Sequence, residues 1–360
     1  MDQDDAVAHG AAPRPRLEDV AAHVGLSPAT VSLVLSNAAG PSAQTRRRVL
    51  QAAGELGYRP NRTASLLARR RSRLLGVLLE VRNSFHAELV EDLQAASEQA
   101  GYELVLSTVT RTRDERRAVE TLLDFRCEAL ILLGPDASPA RLVALGRQLP
   151  VIAVGRRVAA DGVDVVRAAD DQGVAQAVGY LAGLGHRAIA HVDGGKGVIA
   201  ADRRRGYRTA MRRHGLAGGI RIIPGDHAEE SGLRAAAVLL RQPELPTAVL
   251  AFNDRCAMGL LDAFNRAGVD VPGSVSIVGY DDSPLARLAH VQLTTVSQDT
   301  QQQAEQAVAA AIERLDGGRS AAWEVVLRPR LVVRRTAGPP RPAAGSRAGR
   351  KRQNLYRTSR

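Results

Sequence analysis

Apolar positions in the first sixty residues recur with helical spacing. Between Leu17 and Val24, residues Val20, Ala21 and Val24 share one face, and the run stops at Gly25. A second helix is predicted to begin at once. Ser27 suits its cap and Pro28 its first position, after which Val31, Val34 and Leu35 continue the apolar stripe. Two short helices joined by a tight glycine-containing turn make a helix-turn-helix. A third amphipathic stretch, Thr45 to Leu56, supplies Val49, Ala53 and Leu56 to close a small core.

From Leu74 onward the pattern changes to apolar strand-like runs alternating with helical stretches, the signature of α/β domains with parallel sheets. Leu74 to Val81 precedes a helix around Phe85 to Ala100, and Leu104 to Thr108, Ala129 to Leu133 and Val151 to Val154 are further strands. A second series has strands at Ala188 to Val192, Ala248 to Phe252 and Val275 to Val278. Its helices lie near Ala201 to His214, Gly232 to Arg241 and Cys256 to Ala267. The pattern predicts two doubly wound lobes. Ligands of such sheets bind at the carboxyl ends of the strands, so the cleft between the lobes is the expected site.

Charge sharpens this division. The net charge of +11 is carried at the two ends: Arg14 to Arg73 holds eleven arginines against three acids, and Gly338 to Arg360 holds seven basic residues and no acid. The stretch between has 31 basic and 32 acidic residues. A basic module attached to a near-neutral body suits nucleic-acid binding by the module alone. In a helix-turn-helix the start of the second helix enters the major groove. That puts Pro28, Ala29, Ser32 and Leu33 nearest base edges, with Ser27 beside them, while Thr30, Arg46 and Arg47 are placed to hold phosphates.

Other chemistry is weakly signalled. With 45% apolar and 24% charged residues and no apolar run of membrane-spanning length, a membrane protein is not expected. The opening residues Asp2, Asp4 and Asp5 do not read as a secretory signal, so a cytoplasmic location is expected. Cys127 and Cys256 lack metal-ligand spacing and read as core thiols; no cofactor or metal is expected. The glycines of Asp193 to Gly197 lack the Gly-Lys-Ser/Thr ending of a phosphate loop, and no nucleophile, base and orienter assemble from spacing. An enzyme is therefore not expected. Two rival readings stay open: a sugar-processing enzyme with a fused DNA-binding domain, and a DNA binder whose body only dimerises.

The run Leu17-Glu-Asp-Val-Ala-Ala-His-Val-Gly-Leu-Ser-Pro-Ala-Thr-Val-Ser32, then Thr45-Arg46 and Leu56-Gly-Tyr-Arg-Pro-Asn61, resembles the headpiece of the lactose-repressor (LacI/GalR) family. The body agrees: Asn83-Ser-Phe-His86, Ala251-Phe-Asn-Asp254 and Val278-Gly-Tyr-Asp-Asp282 follow strands where that family and the similar periplasmic sugar-binding proteins have comparable motifs. The resemblance covers about nine-tenths of the chain. It implies a repressor that binds a palindromic operator as a homodimer and is switched by a small, sugar-like effector. It also implies a hinge helix after Pro60, with Asn61 as cap, Ala64 as the small residue at the groove and Leu67 wedged into the minor groove. Many members carry arginine at the position of Leu33, where it reads guanine; leucine offers only apolar contact, for example to a thymine methyl.

In the body, the resemblance implies that Asn253 and Asp281 bind effector hydroxyls and that Arg203 reaches across the cleft. Phe85 and Phe252 are candidates to cover the apolar face of a sugar ring, with Asn83 and His227 beside them. The expected organisation is a flexible segment 1–15, the helix-turn-helix 16–60, the hinge and linker 61–73, the two-lobed domain 74–337 and a disordered basic tail 338–360.

Overall fold

The computed structural model describes residues 15–36, 38–58 and 71–341, and the chain divides into two units, Met1–Ser72 and Arg73–Arg360. In the first unit, α1 (Leu17–Val24) ends at Gly25, whose φ of 64° only glycine adopts without strain and which lets Leu26 N–H close back on the Ala21 carbonyl. Helix α2 (Pro28–Leu35) starts on Ser27, whose Oγ accepts from Thr30 N–H at 3.2 Å. Helix α3 (Ala43–Glu55) starts two residues earlier than the apolar spacing indicates. Ser42 caps it through Thr45 N–H, which places Thr45 in the first turn. Val20, Val31 and Val49 are fully buried at the centre of this three-helix core.

The second unit begins with β1 (Leu74–Glu80), α4 (Ser84–Gln99), β2 (Glu103–Val109), α5 (Glu115–Asp124), β3 (Ala129–Leu133), α6 (Pro139–Gly146), β4 (Val151–Val154) and β5 (Val163–Ala168). The chain then passes into α7 (Asp170–Gly183), β6 (Ile189–Val192), α8 (Val198–Arg213), β7 (Arg221–Ile223), α9 (Glu229–Leu240), β8 (Ala248–Leu250), α10 (Asp254–Arg266), β9 (Ser276–Asp281), the short α11 (Pro284–Arg287) and β10 (Thr294–Ser297). It returns through α12 (Thr300–Leu315) and β11 (Glu324–Leu327), and crosses once more into β12 (Arg330–Val332).

Two six-stranded sheets result, ordered β11-β5-β4-β3-β1-β2 and β12-β10-β9-β8-β6-β7. All pairs are parallel except β10 with β12. In each lobe the first strand lies between the second and third, so the order reverses beside β1 and beside β6. Crevices open there at the carboxyl ends of the strands. The two lobes are joined by three crossings, at residues 168–170, 298–300 and 327–330. Helix α12 packs on the first lobe although it follows the second in sequence. Its far end is tied down by the fully buried Asp164, which receives Arg314, Arg319 and the Trp323 N–H. Burial alone would raise this carboxyl, but those donors hold it below the usual range.

The sequence places the end of the body at Ala337; the described residues after it, to Arg341, still contact the body. Gly338 N–H donates to Ser276 Oγ at 3.0 Å, and its carbonyl accepts from Ser276 Oγ at 3.0 Å and lies 2.8 Å from His186 Nε2. Backbone groups make these contacts, so a Pro- and Arg-rich sequence carries no apolar period that announces them. The remaining tail expectation concerns residues 342–360, which lie outside the described residues, as do residues 1–14. Among the described residues no helix is long and apolar enough to cross a membrane.

Candidate functional site

In the helix-turn-helix, Ser27, Pro28, Ala29, Ser32 and Leu33 form an exposed strip along α2, while Val31 and Val34 on its other side are buried. Leu33 is 43% exposed, a large apolar side chain held out on a surface where a polar one would serve solubility better. Thr30 is half-buried, and its hydroxyl lies 2.9 Å from Ser27 Oγ, so this pair stabilises the start of the helix. Two of the three arginines of α3 act inward: Arg46 Nη2 donates to the Ala38 carbonyl and Arg48 Nη2 to that of Val24. Arg47 remains exposed, whereas Arg46 also fixes the loop after α2. Asn61, Ala64 and Leu67 lie outside the described residues.

In the body, all seven of Asn83, Phe85, Arg203, His227, Phe252, Asn253 and Asp281 line one narrow cleft between the lobes. Each reaches it from the carboxyl end of a strand or the helix that follows. Asn83 caps α4 by accepting from Phe85 N–H at 3.2 Å, which sets the turn after β1. Asn253 caps α10 through Cys256 N–H at 2.8 Å and donates Nδ2 to the His227 carbonyl at 3.0 Å. Its side chain is therefore largely occupied, and it positions His227 at the rim of the cleft. His227 meets Phe252 edge-on, with ring centres 4.9 Å apart. Phe252 itself fits because residue 194 is glycine: a Cβ there would fall 2.2 Å from the Phe252 ring. The glycines that suggest a phosphate loop in the sequence thus include one that makes room for an aromatic wall.

Arg203 is the electrostatic centre. It is 4% exposed, donates Nε to Asp170 at 2.7 Å and Nη1 to the Phe252 carbonyl at 2.6 Å, and lies 3.9 Å from Asp281 through Nη2. Its guanidinium stacks 3.6 Å from the Tyr280 ring centre and 4.6 Å from that of Phe252. Burial alone would weaken its charge, but Asp170, Tyr280 and Asp281 outweigh that and keep it protonated. Burial pushes both carboxyls up, with Arg203 pulling against it.

Asp281 is held in an unusual backbone state, φ 124°, followed by Asp282 at 60°. The loop is fixed from beneath. Asp254 accepts from Ser283 N–H at 2.7 Å and from Thr295 Oγ1 at 2.5 Å, while Asp282 pairs with Arg334 at 2.6 Å. Gln298, at the second crossing between lobes, donates to Asp281 Oδ1 at 2.7 Å. Strained backbone over-determined in this way is typical of ligand clamps. Asp170, Tyr280, Gln298 and His86 join the site although no sequence pattern assigns them to it. Nothing local in the sequence marks Asp170, which lies 33 residues before the arginine it pairs with.

Comparison with known proteins decides what carries this site. Residues 16–61 match the model described as bacterial regulatory proteins, lacI family, and residues 178–337 match a periplasmic binding protein-like domain. The transcriptional regulator GalR of Escherichia coli K12 is 30% identical over 329 residues, covering 90% of this chain and 96% of GalR. The chain belongs to the lacI family. As a lacI-family protein it is a DNA-binding transcriptional regulator. A crystal structure of the lac repressor dimer bound to operator and the anti-inducer ONPF matches with a TM-score of 0.79 and 28% identity. It covers 91% of this chain and all of that one. A complex of the transcriptional regulator CelR with cellobiose matches with a TM-score of 0.66 and 29% identity over 90% of this chain and all of that one.

Proposed function

We propose that this regulator is a homodimeric, cytoplasmic repressor that binds a palindromic operator and changes its affinity when a small, sugar-like effector enters the interlobe cleft. The observation that carries this reading is the convergence of Arg203, Asp281 and two aromatic rings in one cavity at the carboxyl ends of both sheets' strands. Fixed donors and acceptors beside aromatic faces suit the alternating hydroxyls and C–H faces of a sugar. The operator-bound lac repressor dimer and the cellobiose-bound CelR support the same reading. The exposed strip of α2 would read base edges, Arg47 would hold phosphate, and the sequence from Asn61 through Ala64 to Leu67 would form the hinge wedge. Because a closed two-fold body presents two headpieces to a two-fold site, the operator should be a palindrome.

The test is Asp281→Ala. The variant is expected to bind operator without sugar as the parent does, and to lose the change in affinity produced by whichever sugar stabilises the parent, because coupling requires a contact that differs between two states. Operator titrations by fluorescence anisotropy check this; an unchanged response removes Asp281 from the site.

A further inference from the structure

The first-lobe wall of the cleft contains one histidine, His86, among the apolar side chains of Phe85, Leu89, Leu133 and Val154. His86 sits in the first turn of α4, is 7% exposed, and receives the backbone N–H of Glu80 on Nδ1 at 3.1 Å. A ring nitrogen that accepts is unprotonated, so in the neutral ring the hydrogen lies on Nε2. Nε2 faces Gly134 in the cavity wall. Gly134 has a φ of 55°, and a Cβ added there would approach Nε2 to 3.5 Å. Among the described residues Nε2 has no hydrogen-bond partner. Burial, aided by repulsion from His227, lowers the ring's pKa to about 4, so the group stays neutral near pH 7.

Among the described residues that line the cleft, Arg203 is the one Lys or Arg. Its guanidinium is already engaged by the carboxyl groups of Asp170 at 2.7 Å and Asp281 at 3.9 Å. An anionic ligand would lose its hydration and find no cation free to replace it, whereas hydroxyl and ether oxygens can use the donors present.

We propose that His86 is a specificity-determining residue: a neutral donor that gives its Nε2–H to an oxygen of an uncharged sugar, in a cleft that rejects the anionic form of the same sugar. This rests on the effector reading above and narrows it to neutral sugars.

The test uses the full chain with D-glucose, D-galactose, D-ribose and cellobiose, and with D-glucuronate, D-galacturonate and glucose 6-phosphate, by thermal shift and calorimetric titration at pH 7. At least one neutral sugar is expected to bind, and any charged counterpart at least about tenfold more weakly, as expected when a charge is buried without a partner. His86→Phe keeps an aromatic wall but removes the donor, and is expected to lose about tenfold in affinity for that neutral sugar. His86→Gln, which can place an N–H near the Nε2 position, should recover most of it. Two-bond ¹⁵N–¹H correlations should show Nδ1 unprotonated in the parent and a shifted Nε2 resonance on adding the sugar. Equal affinity in His86→Phe, failure of His86→Gln to recover any affinity, a protonated Nδ1, or tighter binding of a charged sugar each overturns the proposal. Binding of no sugar by any of the three proteins overturns the effector reading and the role of His86 together. Retained binding in His86→Phe overturns only the latter.

Discussion

Replacing Arg203 with methionine is expected to destabilise the body by about 3–5 kcal/mol and to abolish its response to sugar. The substitution leaves Asp170 and Asp281 in the interior without their shared counter-charge, since both face the same guanidinium at 2.7 and 3.9 Å. It also leaves the Phe252 carbonyl without its donor and removes a cation from between two rings. Each orphaned group has a desolvation cost that water cannot recover at 4% exposure. Domain stabilities are on the order of 5–15 kcal/mol, so the loss is a large share of the total. Urea unfolding of the parent and variant measures it. Pairing Arg203→Met with Asp170→Asn should recover part of the stability, because the charge left behind is then neutralised, but should not restore the sugar response. A variant as stable as the parent would mean that Arg203 is not the centre of the buried network.

Val49→Asp is expected to weaken operator binding by more than about a hundredfold while leaving the melting of the body unchanged. Val49 is hidden from water, at 0% exposure, in a core that has eight buried residues among those described. A carboxylate there costs several kcal/mol, roughly the whole stability such a small core supplies. The residue lies on α3 and not on the exposed strip of α2, so a loss of binding would report the collapse of the scaffold and not the removal of a base contact. Because residues 1–72 and 73–360 form separate contact units, the body should keep its own transition. By contrast, Arg47→Ala should weaken binding to all sequences alike and lower the salt slope by about one. Calorimetric scans beside anisotropy titrations distinguish these outcomes.

The parts of this molecule that are legible in the sequence are those decided by neighbours a few residues away. Helix α1 is bounded by its apolar stripe and Gly25, and α2 by Ser27-Pro28. Strands β3 and β4 are fully buried, short apolar runs, and they appear where the sequence pattern places them. The exchange between lobes is decided by contacts 150 or so residues apart, such as Arg314 with Asp164, and no local period encodes it. The Gln- and Ala-rich stretch Thr300–Leu315 therefore gives no sign that it returns to the first lobe. At the site, Asn83 and Asn253 have both of their possible meanings at once: each caps a helix and each lines the cleft. Arg203 lies in a run of three arginines that no local period tells apart; the family resemblance points to it, and the fold buries it.

The most direct test of the central claim is to select binding sites for the full chain from random duplex DNA, and then to titrate the selected site with and without the sugar that stabilises the protein most. The account predicts a palindrome with two half-sites, bound by one dimer, and an affinity that shifts about tenfold or more with sugar, within the usual range of coupling between two sites. Selection of no common sequence, or equal affinity with and without every sugar tried, would contradict it.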